Sequence, residues 1–516
     1  MPTVKRVLIS LAVLSQLFLR AVIAEERQPN VLLIVLDTTR PDRFGCYGYG
    51  LPTTPNIDRV SEDSVIFDGA ISVIPLTTPS HVSIMTGLHP GSHLVYRNSY
   101  PMSGSFTTMA EILSDAGYLT AASVSTRLLK AQLGFDQGFD CFSGVEEKAA
   151  RAARKGDVTL GKAMDWLRNN YREKFFLWVH LYDPHLPYLP PKEFGLAFNP
   201  AYEDFFRKYN RTEVVADDLT DHKENDGADG SVIKKPSKKK MNKRIRFPRE
   251  ISPEEERELK EAYDAEIAFD DHCLGELFSF LRETGMYDNT IIIIMADHGE
   301  MLYEKENYFG HHRFLHQEAL RIPLIMKFPG IPGRRIPARI TTVDVLPTLL
   351  DALDLTGGAA MDGMSYWGLI KNGGADADPG HTIVLTHFLK KKKKDHAEGP
   401  GKKTAGTGKK KARVKKPLKF GEVFVKAAVF KDDWKLIMNR SGYEGPEAKL
   451  FDLSADGEEN HDLAGTPGSA VPYAELRKFI MSYFESKKNV VIPAKLRKAD
   501  RDTTAMQDLK SLGYLQ

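Results

Sequence analysis

The stretch Thr77-Thr78-Pro79-Ser80-His81 sets hydroxyl residues just ahead of a proline and continues through Thr86-Gly87 and Pro90 to His93 and Asn98. A hydroxyl before proline, then a short amphipathic run and a glycine stop, reads as a side chain held at a helix N-terminus. Unpaired backbone N–H groups and the helix dipole favour an anion there, and equally the alkoxide form of a hydroxyl nucleophile. The plainer alternative makes Thr78 an N-cap and Pro79 the first helical residue. Far away in the chain, Asp37 and the pair Asp297-His298 close two apolar runs. Two carboxylates and an imidazole supply hard and borderline ligands for one divalent cation, with Thr77 completing or approaching the sphere. Such an ion would lower the hydroxyl pKa so that a weak nucleophile could attack. Asp37 taken alone would serve equally well as a loop cap.

These groups can meet only if the elements carrying them lie side by side. Asn30 to Leu36 is a continuous apolar run ending at Asp37, and Thr290 to Ala296, with four consecutive isoleucines, ends at Asp297. Runs without alternation suit strands buried on both faces. Further strands are expected at 120–124, 175–181 and 321–327. Helices are expected at 107–116, 160–172, 253–284 (stopped by Gly285) and 341–353. The alternation predicts an α/β fold: a large, mostly parallel sheet between helices, with the site at the strands' carboxyl edge. After residue 418, strands at 423–430 and 434–438 and a helix at 473–486 predict a small α+β subdomain with an antiparallel sheet. The organisation expected is a catalytic domain over 30–380 and a C-terminal subdomain over 418–516.

At 516 residues and a net charge of +2, the chain can bury a large core and does not present itself as a nucleic-acid binder. Lys5 and Arg6, an apolar run to Leu19, and small or apolar Val22 and Ala24 fit a signal peptide over 1–24, hence a secreted or periplasmic protein. Arg20 makes an uncleaved anchor the competing reading. Cys46, Cys141 and Cys273 form neither a disulfide framework nor a zinc pattern and are read as structural filler.

The segments 30–49, 75–98, 178–187, 263–300 and 309–329 together resemble the sulfatase family of the alkaline phosphatase superfamily. Trp434-Lys435-Leu436 and Leu450-Phe451-Asp452-Leu453 are similar to its small C-terminal domain. The resemblance implies hydrolysis of sulfate or phosphate esters with a divalent metal. By it, Asp37, Asp297 and His298 match metal positions and Thr77 the nucleophile. His185, in Asp183-Pro184-His185, and His311, in Phe309-Gly310-His311, match residues contacting the transferred group or its leaving oxygen. His180, His81 and Arg313 are further candidates.

Three departures follow from the same resemblance. Threonine stands where the family's cysteine or serine is converted to formylglycine, and His81 stands where its C-x-P-S-R pattern ends in arginine. Thr38 replaces a second metal-binding aspartate of many sulfatases. The G-K-W-H-L-G segment is missing, with Ser125-Thr126-Arg127 in that region. Threonine cannot yield the aldehyde, so the site resembles the threonine-nucleophile branches: nucleotide pyrophosphatase/phosphodiesterases, whose asparagine matches Asn98, phosphoethanolamine transferases and lipoteichoic acid synthases. The expectation shifts toward phospho- or phosphono-esters alongside sulfate. The cation could be calcium, as in formylglycine sulfatases, or zinc or manganese.

Residues 213–249 and 389–417 are read as basic surface insertions, the second disordered, because they lack apolar content and periodicity. An anionic polysaccharide or lipid surface would suit them better than nucleic acid, since no aromatics are interleaved. Sequons occur at Asn210 and Asn439. Two alternatives to the hydrolase stay open: a phospho-group transferase of the same superfamily, and an inactive pseudoenzyme that binds a polyanion.

Overall fold

The computed structural model describes residues 28–145, 153–209, 213–216, 244–247, 249–312, 314–357, 360–373, 380, 382–387, 418–439 and 448–492. The expected export segment over 1–24, the lysine stretches of 234–243 and 389–417, Arg313 and the sequon at Asn210 lie outside the described residues.

Eight strands build the central sheet: β1 (Asn30–Leu36), β2 (Val65–Ile71), β3 (Leu119–Val124), β4 (Cys141–Ser143), β5 (Phe175–Leu181), β6 (Thr290–Ala296), β7 (Leu324–Lys327) and β8 (Arg334–Thr341). Their spatial order is β8-β2-β7-β6-β1-β5-β3-β4. The block β6-β1-β5-β3-β4 is parallel throughout. Strand β7 opposes both neighbours, and β8 is parallel to β2. The sheet is therefore mixed and mostly parallel, as the alternation of elements implied.

The unbroken apolar runs of β1 and β6 have a direct cause. Val31, Leu33 and Val35 pack with Ile291, Ile293 and Met295 into a core on one face, while Leu32, Ile34 and Leu36 pack with Ile292 and Ile294 on the other. Each such isoleucine contributes about 1.5–3 kcal/mol by leaving water. On the first face lie α1 (Thr77–Thr86) and α4 (Val345–Ala352). On the second lie α2 (Gly156–Asn170) and α3 (Pro253–Glu283). Helix α3 begins where its sequence places it: the Ser252 hydroxyl accepts the Glu255 N–H at 3.1 Å, and Pro253 fills the first position. Helix α2 begins at Gly156, four residues before the expected start, and α4 begins only at Val345 because 341–344 is a turn, in which Asp344 Oδ2 accepts the Thr341 N–H at 2.7 Å. Cys273 is core filler, but Cys141 is exposed on the edge strand β4; all three cysteines are free thiols.

A second, antiparallel sheet runs β9 (Thr382–His387), β10 (Phe424–Lys431), β11 (Trp434–Asn439), β12 (Ala448–Asp452), with α5 (Ala470–Ser486) packed on it through Leu476 and Ile480. Strand β9 was not anticipated. It ties the two sheets together, because Leu385 N–H donates to the Val73 carbonyl (3.0 Å) and the Thr386 hydroxyl to the His312 carbonyl (2.7 Å). Residues 213–216 and 244–247, inside the first expected insertion, pair as two short parallel strands. No described helix is long and apolar enough to cross a membrane.

Candidate active site

Register places the acids. Leu36 pairs with Leu181 on one side and with Ala296 on the other, so the next residues, Asp37 and Asp297, emerge from adjacent strand ends, about 4.8 Å being the spacing between neighbouring strands. His180, one residue before the end of β5, sits against Asp37 with its Nε2 3.2 Å from Oδ2. Thr38 holds the left-handed backbone (φ 53°), a costly state for a β-branched residue. That turn points the Thr38 N–H at Asp297 Oδ1 (3.2 Å), which also accepts the His298 N–H (2.9 Å). Tyr263 fixes the turn from α3, donating its hydroxyl to the Thr38 carbonyl at 2.8 Å.

Thr77 is the first residue of α1, with Leu76 as N-cap and Gly87 (φ 66°) as the stop. This corrects the plain capping alternative. Thr78 is not the cap and Pro79 is the third helical residue. The Thr78 hydroxyl donates to the Leu128 carbonyl (2.9 Å) and accepts the Ser99 N–H (3.2 Å). The helix start is fastened to β6 by Ser80, whose hydroxyl donates to the Asp297 carbonyl at 2.7 Å. Thr77 Oγ1 then lies 3.5 Å from His298 Nε2. Asp37, Asp297 and His298 each offer a ligand atom within 4.8 Å of the others. All of these side chains, Thr77 included, are fully buried.

The remaining candidates fall around this centre. Asn98 Oδ1 accepts the Thr78 N–H at 2.9 Å, which commits the oxygen and leaves the amide NH₂ as the donor end. His185 stacks on Tyr182 (4.4 Å between ring centroids) and meets His311 edge to face at 5.2 Å; His311 lies 4.2 Å from His298. His81 is wholly buried, its Nδ1 2.8 Å from the Thr77 carbonyl and 3.6 Å from Asp297 Oδ2. It supports the turn that carries Thr77. His93 is held by Ser83 (3.1 Å) and the Val95 N–H (3.0 Å) within its own segment, so it belongs to packing. Sequence reasoning passed over Glu300. It is fully buried, with Oε2 3.3 Å from His311 Nδ1. The signal was present: it is the acid closing Asp297-His298-Gly299-Glu300.

Burial sets the electrostatics. It pushes the Asp37 carboxyl well above its ordinary range, partly offset by the Thr77 hydroxyl; it raises Asp297 likewise, with the Asp37 charge adding to it, and Glu300, with Asp37 and Asp297 adding. Burial also lowers His298 and His311 far below the usual imidazole value and takes His180 down to about 3. Neutral imidazoles are the ligand form, and packed carboxylates are in want of positive charge. Asp37 Oδ1 and Asp297 Oδ2 are buried with no donor in hydrogen-bonding geometry, so the residues present fit a divalent cation.

The chain matches the sulfatase family model, described as "Sulfatase", over residues 29–355. It is 26% identical over 419 residues to an N-acetylglucosamine-6-O-sulfatase of Bacteroides thetaiotaomicron, covering 70% of this chain and 75% of that protein. A solved structure of a protein in complex with its substrate D-glucosamine-2-N,6-O-disulfate superimposes with TM-score 0.68 at 20% identity, over 91% of this chain and 100% of that one. A phosphonate monoester hydrolase of Agrobacterium radiobacter superimposes with TM-score 0.65 at 20% identity, over 89% and 96%. The match spans more than half of the chain and includes both acid-bearing strands. The chain belongs to the sulfatase family and is a sulfatase-like ester hydrolase.

Proposed function

We propose that the protein hydrolyses a sulfate ester, or a phosphonate or phosphate ester of like shape, by attack of Thr77 Oγ1 on sulfur or phosphorus without formylglycine. The observation that carries this reading is the hydroxyl of Thr77 lying 3.5 Å from His298 Nε2, beside the buried Asp37–Asp297–His298 cluster. Asp37, Asp297 and His298 would hold the cation, which when bound supplies positive charge that favours the ionised hydroxyl. The amide of Asn98 would donate to a non-bridging oxygen, as would Nε2 of His185 in the protonated ring, whose Nδ1 lies 2.7 Å from the Leu186 carbonyl; such preorganised stabilisation is typically the largest catalytic contribution. His311 would exchange a proton with the leaving oxygen and then with water. That contribution is worth about 10²- to 10⁴-fold. A sulfated sugar is the substrate class favoured by the N-acetylglucosamine-6-O-sulfatase relative; the phosphonate monoester hydrolase likeness supports keeping phosphonates in the panel.

The test is turnover of aryl sulfate, aryl phosphonate, aryl phosphodiester and N-acetylglucosamine 6-sulfate by wild type, Thr77→Ser and Thr77→Ala, with metal content measured. Retained metal, partial activity in the serine variant and a loss of more than about 10³-fold in the alanine variant are expected. Equal turnover by wild type and Thr77→Ala removes Thr77 as the nucleophile.

A further inference from the structure

Glu300 and His311 form a buried pair that the metal cluster does not require. The imidazole Nδ1 of His311 faces Glu300 Oε2 at 3.3 Å, with His311 1% and Glu300 0% exposed. The other ring nitrogen, Nε2, is buried and has no hydrogen-bond partner. The ring is stacked on His312 (4.0 Å between centroids) and packed on His298 and His185. Glu300 is itself anchored at its backbone: its carbonyl accepts from Arg40 Nη1 at 3.1 Å, and Arg40 is tied in turn to Glu304 at 2.6 Å. When ionised, Glu300 can only accept from Nδ1.

We infer that Glu300 is the positioning residue for His311: by accepting a hydrogen bond from Nδ1–H it fixes the ring so that Nε2 alone carries protons to and from the ester oxygens. The inference rests on the proposed role of His311 at the leaving group. In the first step the Thr77 Oγ–S (or –P) bond forms, after the hydroxyl proton has gone to solvent. The ester bond breaks with its electron pair on the leaving oxygen, which takes a proton from His311 Nε2. The ring takes that proton up from solvent to enter the step as the imidazolium, Nδ1–H still on Glu300, and leaves it as the neutral Nδ1–H form. In the second step water attacks the threonine ester, the electron pair returns to Thr77 Oγ, and the proton of the water passes to Nε2. Glu300 exchanges no proton with the substrate in either step; it holds the ring in place through both.

The test uses a series of aryl sulfates and aryl phosphonates with graded leaving-group pKa, turned over by wild type, His311→Ala, Glu300→Ala and Glu300→Gln. A group that protonates the leaving oxygen matters most for poor leaving groups. His311→Ala should lose about 10²- to 10⁴-fold on phenyl esters and little on 4-nitrophenyl esters. Glu300→Ala should show the same trend at roughly 10- to 100-fold, the usual cost of losing a group that orients a histidine. Glu300→Gln keeps an acceptor for Nδ1–H and should recover most of the loss. Nitrogen-15 spectra of the histidines give an independent readout: His311 in the Nδ1–H form in wild type and Glu300→Gln, and not in Glu300→Ala. A steep leaving-group dependence in His311→Ala with none in Glu300→Ala overturns the positioning role while leaving His311 in place. Unaltered dependence in His311→Ala, or no turnover of either series by wild type, overturns the underlying reading as well.

Discussion

Replacing Asp297 with asparagine should stabilise the chelated protein and abolish most of its response to metal. Oδ1 of Asp297 accepts two backbone N–H groups, from Thr38 (3.2 Å) and His298 (2.9 Å), so an asparagine there must keep its oxygen at that position. Its NH₂ then occupies the place of Oδ2, facing the cluster, where it repels a cation instead of ligating it. Without metal, the gain is relief of repulsion between Asp37 and Asp297, whose ligand atoms lie within 4.8 Å. At an effective dielectric of about 20 two unit charges that far apart repel by about 3.5 kcal/mol, and less where one carboxyl already holds a proton. With metal at a hundred times its dissociation constant, wild type gains about 2.7 kcal/mol. A variant whose affinity falls a hundredfold or more gains about 0.4 kcal/mol or less at the same concentration. The assay is thermal and urea unfolding of both proteins, first in chelator and then with calcium, manganese or zinc. An undiminished metal-induced shift in Asp297→Asn refutes the assignment of Asp297 as a ligand. A chelated variant less stable than chelated wild type refutes the repulsion argument.

Three further perturbations have signs fixed by the structure. Lys435 is fully buried and paired with Glu459, which also accepts from His316 Nδ1 at 2.6 Å, so Lys435→Met leaves a buried carboxylate short of charge. A loss of about 3–5 kcal/mol is expected by urea unfolding, largely recovered in Lys435→Met/Glu459→Gln. Gly299→Ala would set a methyl 2.1 Å from the Glu318 carbonyl oxygen, a backbone atom that cannot turn away. It should cost about 1–3 kcal/mol and lower kcat by displacing His298 and Glu300 together, as steady-state kinetics would show. Asp271 caps the helix over Pro55–Ser61, accepting the Ile57 N–H at 2.8 Å and the Asn56 N–H at 3.0 Å, and burial pushes its carboxyl up to about 6. A folded pKa above the unfolded value of about 3.9 means the folded state binds the extra proton. Its contribution is present below pH 4 and lost as pH rises to 6. The stability of Asp271→Asn relative to wild type should therefore climb over that window by up to about 3 kcal/mol, read from urea midpoints at successive pH values.

What the chain discloses in its sequence and what it conceals divide along one physical line. Strands β1, β5 and β6 are legible because both their faces are buried: an uninterrupted apolar run has no other use, and the acid at its end must then emerge at the sheet edge. Strands β2 and β8 are not legible. The first carries Asp68-Gly69 in mid-strand, and the second alternates buried and exposed positions around Pro337 at the sheet's edge, where a proline costs no ladder bond. The site follows the same rule. Asp37, Asp297 and His298 sit where strand ends converge, and Thr77 precedes a proline and a glycine stop, so local pattern exposes them. The role of Glu300 depends on a ring eleven residues away turning back through a two-stranded ribbon, Met301–Leu302 against Phe309–Gly310. Nothing periodic marks that return; the close pairing exists only once Gly310 takes φ 125° and delivers His311 over the carboxylate. Chemistry that rests on element ends can thus be read from one sequence, whereas chemistry that rests on how an irregular loop folds back requires coordinates.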